Sequence, residues 1–194
     1  MHPRAEALLE HWLGPEAERD APARAVRQRW FTKSPEFDAY LLREHGADLE
    51  AAARGEYDGW TATPRGRLAL VILLDQLTRN LRRGSGAMFD NDRKALELAR
   101  QGVELGEDRA LRAAERNFLY MPFMHSEDLA DQDRSVELFK QLAADAPGLD
   151  AVEWAIKHRD VIARFGRFPH RNNLLDRTST PDEALFLQQP GSSF

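Results

Sequence analysis

The stretch Thr63-Pro64-Arg65-Gly66-Arg67-Leu68-Ala69-Leu70-Val71-Ile72-Leu73-Leu74-Asp75-Gln76-Leu77-Thr78-Arg79-Asn80-Leu81-Arg82-Arg83 decides the fold class. Thr63 suits a helix N-cap, and Pro64 falls at the first helical position, where its missing N–H is not needed. At helical spacing Leu70, Leu73, Leu74, Leu77 and Leu81 share one face, while Leu68, Val71 and Ile72 cover the opposite one. A helix apolar all round is predicted to be buried on both sides. Asp75 and Arg79 then enter the second face one turn apart, with the acid N-terminal, the better order for an i,i+4 pair. Two readings follow: an ion pair that covers the helix as it emerges, or a polar end projecting into a cavity with Gln76 and Asn80 beside it. Polar groups next to a core have to be paired or put to use.

Similar punctuation recurs on either side. Ser34-Pro35-Glu36 repeats the cap-and-proline device, and Thr180-Pro181-Asp182-Glu183 is a capping box with Glu at N3. Gly14, Gly46, Gly55, Gly106, Gly148 and Gly166 stand where helices are expected to stop. Helices are predicted near 4–13, 22–31, 35–54 with a break at Gly46, 64–82, 91–105, 109–121, 127–145, 149–165 and 181–188. Leu111, Ala114, Phe118 and Met121 form one apolar stripe, and Trp154, His158, Val161, Ile162 and Phe165 another. Short loops between so many helices predict an all-α fold of stacked antiparallel hairpins. No linker splits the chain, so one domain is expected over 1–194, its tail 188–194 loosely ordered unless Phe194 docks. A faint echo about 41 residues apart, from Asp92-Arg93 and Asp133-Arg134, suits helix-pair repeats.

Composition narrows the function classes. With 194 residues, 42% hydrophobic and 30% charged, the chain has the balance of a folded soluble protein. A net charge of −5 repels nucleic acid and anionic membrane surfaces, so neither is expected as a partner. The absence of cysteine removes disulfides, thiolate nucleophiles and thiolate metal sites. The longest apolar run, Leu68 to Leu74, falls far short of the roughly 20 residues of a membrane span, and no secretory leader pattern opens the sequence. A cytoplasmic location is expected. HExxH, GxSxG and the glycine-rich phosphate loops are all missing, so no cofactor is expected. Asp90-Asn91-Asp92 lacks the rest of a calcium loop and is read as a helix cap. No histidine or carboxylate pair shows ligand spacing within one helix, so no metal is expected either.

Two further polar clusters stand out. Arg164, Arg167, His170, Arg171 and Arg177 crowd a segment in which Gly166 ends a helix and Pro169 prevents its resumption. Arginine forks match carboxylate and phosphate, so this basic island reads either as an anion site or as a loop pinned to neighbouring acids. His125-Ser126-Glu127 follows Met121-Pro122, where the preceding helix is expected to stop; Ser126 is the expected N-cap of the next. That leaves His125, beside Glu127, as a candidate general base or anion contact. His158, inside an apolar stripe, is expected to be a core histidine bonded to a neighbour.

Leu73-Leu74-Asp75-Gln76 with Arg79-Asn80, Phe118-Leu119-Tyr120-Met121-Pro122 with His125-Ser126-Glu127, the run from Arg164 to Asn172, and Ser179-Thr180-Pro181 with Glu183 occur in that order, after Trp30-Phe31 and Phe37-Asp38. In this the chain resembles the bacterial domain-of-unknown-function family 924 over nearly its whole length. The resemblance implies a tetratricopeptide-like right-handed superhelix of helix hairpins and no assigned activity. Leu77 and Thr78 depart from the family pattern, which has an aromatic or other apolar residue and a proline there; losing the proline implies a straighter helix.

The leading functional expectation is a groove in which Asp75, Gln76, Arg79, Asn80, His125, Glu127, Arg164, Arg167, His170 and Arg171 bind a small anionic molecule or an acidic peptide terminus. The first alternative is a hydrolase or transferase with His125 or His170 as general base, Glu127 as a further catalytic candidate, and arginines as charge stabilisers. The second is a scaffold or homo-oligomer without a ligand, whose polar motifs are saturated by one another.

Overall fold

Thr63 accepts the Gly66 N–H on its hydroxyl, and the helix it caps runs α-helical over Pro64–Val71 (α4), π-helical over Ile72–Leu77 and α-helical again over Thr78–Leu81 (α5). Leu68 to Leu74 and Leu77 are fully buried, as their all-round pattern requires. In place of the regular helix that the loss of a proline implied, the chain makes a π turn: the Thr78 N–H, which a proline would lack, donates to the Leu73 carbonyl five residues back.

The computed structural model describes residues 1–149 and 151–193, so the expected docking of Phe194 lies outside the described residues. Around α4 are placed α1 (Pro3–Leu13), α2 (Arg24–Phe31), α3 (Pro35–Ala53), α6 (Asp92–Glu104), α7 (Ala113–His125), α8 (Leu129–Asp145), α9 (Val152–Phe165) and α10 (Pro181–Phe186). Among the described residues every regular element is helical, and no helix is long and apolar enough to cross a membrane. α4 packs against α1, α6 and α7, while α7–α8 and α8–α9 pair as sequential hairpins. The main core joins α1, α3, α4, α6, α7 and α8; Val161, Ile162 and Phe168 form a smaller cluster with Phe165 and Phe186.

Four local expectations are overturned by packing. Gly46 does not break α3, because His45, Asp48, Leu49 and Ala52 bury one continuous face across it. Pro122 does not stop α7, which continues to His125; Met121, Phe123 and Met124 are buried on either side of the proline, and that burial offsets the missing hydrogen bond. Ser126 consequently follows α7, and Asp128 caps α8 by accepting the Ala130 N–H at 2.8 Å. Trp154 leaves its predicted stripe and is 53% exposed, with the Lys157 ammonium over its ring. Pro169, which stops α9 from resuming as expected, opens the 3₁₀ turn Pro169–Leu175.

Candidate functional site

The three polar clusters meet where the π turn, the end of α7, the start of α6 and the 3₁₀ turn converge. Asp75 is fully buried, its Oδ1 2.7 Å from His125 Nδ1 and 3.0 Å from Arg79 Nη1, while Oδ2 accepts the Gln76 amide at 2.6 Å. Arg79 also donates to the Asp75 carbonyl at 2.8 Å and pairs with Asp92 Oδ1 at 2.8 Å. Arg171 shares Asp92 at 3.4 Å and donates to the His125 carbonyl at 2.9 Å. Its guanidinium is sandwiched between Phe89 at 4.6 Å and Phe168 at 4.5 Å.

Burial alone would push the Asp75 carboxyl up, but Arg79 and the contacts from His125 and Gln76 hold it well below the usual carboxylate range. The carboxylate therefore accepts, and His125 Nδ1 is the donor. Burial, reinforced by the Arg79 charge, pushes the His125 imidazole down and keeps it neutral near pH 7. Its proton sits on Nδ1 and its lone pair on Nε2. No described residue bonds Nε2, and the side chain keeps 17% exposure. Burial and Arg79 lower Arg171 to about 10, which leaves it cationic. Its Nε is a buried donor with no acceptor among the described residues. Two carboxylates, Asp75 and Asp92, face two guanidinium groups, Arg79 and Arg171, so the junction is neutral at rest.

The other candidates divide. Gln76 belongs to the junction, with Met121 Sδ as a second contact at 3.3 Å. Glu127 does not back His125; it clasps Arg177 at 2.7 and 3.0 Å and accepts the Phe168 N–H at 2.8 Å, which locks the basic segment in place. Arg167 is held by Glu183 at 2.6 and 2.7 Å, at the edge of α10. Asn80 turns toward α3 and donates to Asp38 at 2.8 Å. Arg164 is exposed over the Phe165 ring and does not join the cluster. His170 lies beside Phe168, ring centroids 5.5 Å apart, and burial and Arg171 push it down to about 4. His158 is the expected core histidine: its Nδ1–H donates to the Trp154 carbonyl at 2.8 Å, and burial pushes it down to about 3.

Sequence reasoning missed Asp92 and Phe89. In the sequence Asp92 reads only as part of a helix cap, and the approach of α6 to the π turn makes it the shared counter-ion of two arginines. Among the described residues no three histidine or acidic side chains group in a metal-ligating arrangement. Two cavities, of about 570 and about 470 Å³, open at the other end of the α7–α8 hairpin and share Arg116 and Asp145.

Residues 8–191 match the family described as "Bacterial protein of unknown function (DUF924)". A solved structure of a protein of unknown function from Agrobacterium tumefaciens is similar at 36% identity and a TM-score of 0.83, the match covering 95% of this chain and 96% of that one. No curated protein matches the chain.

Proposed function

The chain belongs to the bacterial family of unknown function 924, and on that premise we propose that the junction is a general-base centre of hydrolase or transferase type acting on a small anionic substrate. The observation that carries this reading is the 2.7 Å bond from His125 Nδ1 to the buried Asp75 carboxylate, with Nε2 left open. A water or substrate hydroxyl gives its proton to Nε2 as it attacks, and Asp75 steadies the imidazolium that forms. The junction, neutral at rest, becomes positive at that moment, matching the negative charge that develops on the substrate beside Arg79 and Arg171.

General-base assistance contributes about 10²- to 10⁴-fold, so His125→Gln is expected to lower kcat by that order. The test is turnover of a panel of small phosphate and carboxylate esters by the wild type and by His125→Gln. No turnover of any of them, or turnover indifferent to His125→Gln, sinks the reading.

A second reading, binding of a small anion without turnover, is favoured by the buried Arg171 Nε, which lacks an acceptor among the described residues. A ligand at a hundred times its Kd stabilises the fold by about 2.7 kcal/mol, which a thermal-shift screen with the same compounds detects. A shift without turnover, abolished by Arg171→Gln, selects this second reading.

A further inference from the structure

A separate hydrogen-bonded chain crosses from α1 to α3, away from the junction. Arg4 and His11 lie seven positions apart on α1, and His45 and Asp48 three apart on α3, so each pair shares a helix face. Arg4 Nη2 donates to Asp48 Oδ2 at 2.7 Å, and the Tyr57 hydroxyl donates to Asp48 Oδ1 at 2.9 Å. Asp48 Oδ2 also lies 3.2 Å from His45 Nδ1, and His45 Nε2 lies 2.9 Å from His11 Nδ1. Asp48 and His45 are both buried.

This order of contacts dictates where the protons lie. Burial would raise the Asp48 carboxyl, but its bonds to Arg4, Tyr57 and His45 hold it below the usual range, so it only accepts. His45 then carries its proton on Nδ1, and its Nε2 lone pair accepts from His11 Nδ1–H. His11 is left with a lone pair on Nε2, for which no described residue supplies a partner. The Tyr40 ring stands edge-on to His11 with centroids 5.2 Å apart, and the Tyr40 hydroxyl has no partner among the described residues.

Arg29 completes the neighbourhood. It donates to the carbonyls of His11 at 2.7 Å and Trp12 at 3.3 Å, and its guanidinium lies 4.6 Å from the centre of the Phe37 ring. The interior arginines Arg19, Arg67 and Arg79 each meet a carboxylate, whereas Arg29 meets none among the described residues. A half-buried cation that meets no carboxylate among the described residues thus stands beside an imidazole whose Nε2 has no partner among them.

We propose that His11, Arg29 and Tyr40 form a second ligand site, which takes a protonated oxyanion of the inorganic-phosphate class. One P–OH donates to His11 Nε2, and the anionic oxygens accept from Arg29 and the Tyr40 hydroxyl. Inorganic phosphate still carries a hydroxyl near neutrality, whereas a monoester, with its second pKa of about 6, has largely lost its own; sulfate has the same shape and charge range but no proton to donate. The site therefore separates the two anions by hydrogen-bond inventory rather than by charge.

The experiment is ¹⁵N NMR of the full-length protein labelled at histidine, first without added anion and then titrated with inorganic phosphate or sulfate at equal ionic strength. Before titration, His11 and His45 are expected to carry their protons on Nδ1; a proton on His11 Nε2 overturns the assignment. Phosphate is expected to shift the His11 Nε2 resonance saturably, with sulfate at least about tenfold weaker, a difference of about 1.4 kcal/mol. Arg29→Gln is expected to weaken phosphate by a similar factor while leaving both tautomers unchanged. No saturable shift at His11, an equal response to both anions, or a response confined to His125 overturns the proposal. The comparison of the two anions on the wild type decides the matter even if Arg29→Gln fails to fold.

Discussion

Asp75 and His125 stand 50 positions apart in the chain, yet Asp75 Oδ1 and His125 Nδ1 lie 2.7 Å apart, on the π turn of one helix and the last residue of another. The contact exists because two local irregularities coincide. The π turn sets the phase of Asp75, and α7 continues past Pro122 far enough to bring His125 to it.

Removing the carboxylate exposes how much depends on it. In Asp75→Ala the buried Arg79 loses one of two counter-ions, and His125 Nδ1–H and the Gln76 amide lose an acceptor. Breaking a buried ion pair from one side costs about 3–5 kcal/mol. Urea denaturation is expected to show a midpoint lowered to that extent at an unchanged slope; a loss under about 1 kcal/mol would contradict an ionised, buried Asp75.

Arg171→Lys tests the aromatic sandwich independently of charge. The planar guanidinium fits between Phe89 and Phe168 at 4.6 and 4.5 Å while its two ends reach Asp92 and the His125 carbonyl. An ammonium keeps the charge and loses the stacking and the fork. A destabilisation of about 1–2 kcal/mol by thermal denaturation is expected, and an unchanged Tm would show that charge alone suffices.

Stability is expected to fall in two stages as pH drops. His158 and His170 are held at about 3 and about 4, against 6.5 for a free histidine, so the folded state keeps them neutral. Below pH 6.5 the unfolded chain binds protons that the folded chain refuses. The stability present above that pH is therefore lost progressively between about 6.5 and about 3, the His170 share by about 4. Glu183 is held down to about 2 chiefly by Arg167, so its contribution is present above its ordinary 4.5 and is lost as pH falls through about 2. Urea midpoints measured from pH 8 down to 2 check this: a flat profile between 6.5 and 4.5 would mean that these histidines are not held neutral by burial.

Two glycines on packed helices are expected to respond differently to alanine. A Cβ on Gly66 would collide with the Trp60 carbonyl oxygen and stand 2.9 Å from Thr63 Oγ1, which caps the helix. A backbone carbonyl cannot swing aside, so Gly66→Ala is expected to cost about 3 kcal/mol. On Gly102 the nearest atom is Arg67 Cδ at 2.9 Å, part of a flexible side chain. The better helix propensity of alanine offsets that contact to within about 1 kcal/mol. Denaturation of the two variants side by side is the check, and equal losses would overturn the distinction.

Much of the helical frame was legible residue by residue. The caps at Thr63, Ser34 and Thr180 all accept the N–H bonds their sequence patterns predict, and the Asp75–Arg79 pair forms at 3.0 Å. His158 sits in the core as its apolar neighbours imply. The Arg164 to Arg177 segment read ambiguously as an anion site or a pinned loop. In the structure Arg167 and Arg177 are pinned by Glu183 and Glu127, and Arg171 alone reaches the junction.

What the sequence determined by itself is set by interactions within about four residues along the chain: caps, i,i+4 pairs and the apolar stripes that make each helix and choose its buried face. Tertiary packing alone decided that α3 continues through Gly46 and α7 through Pro122, since burial of neighbouring side chains there outweighs a weak or missing backbone bond. It also decided the partners: Asp75 rather than Glu127 for His125, and Asp92 for both Arg79 and Arg171. Charges seek whatever opposite charge the packed helices bring within reach, and that proximity is a property of the assembled fold, with no period or spacing in the chain to announce it.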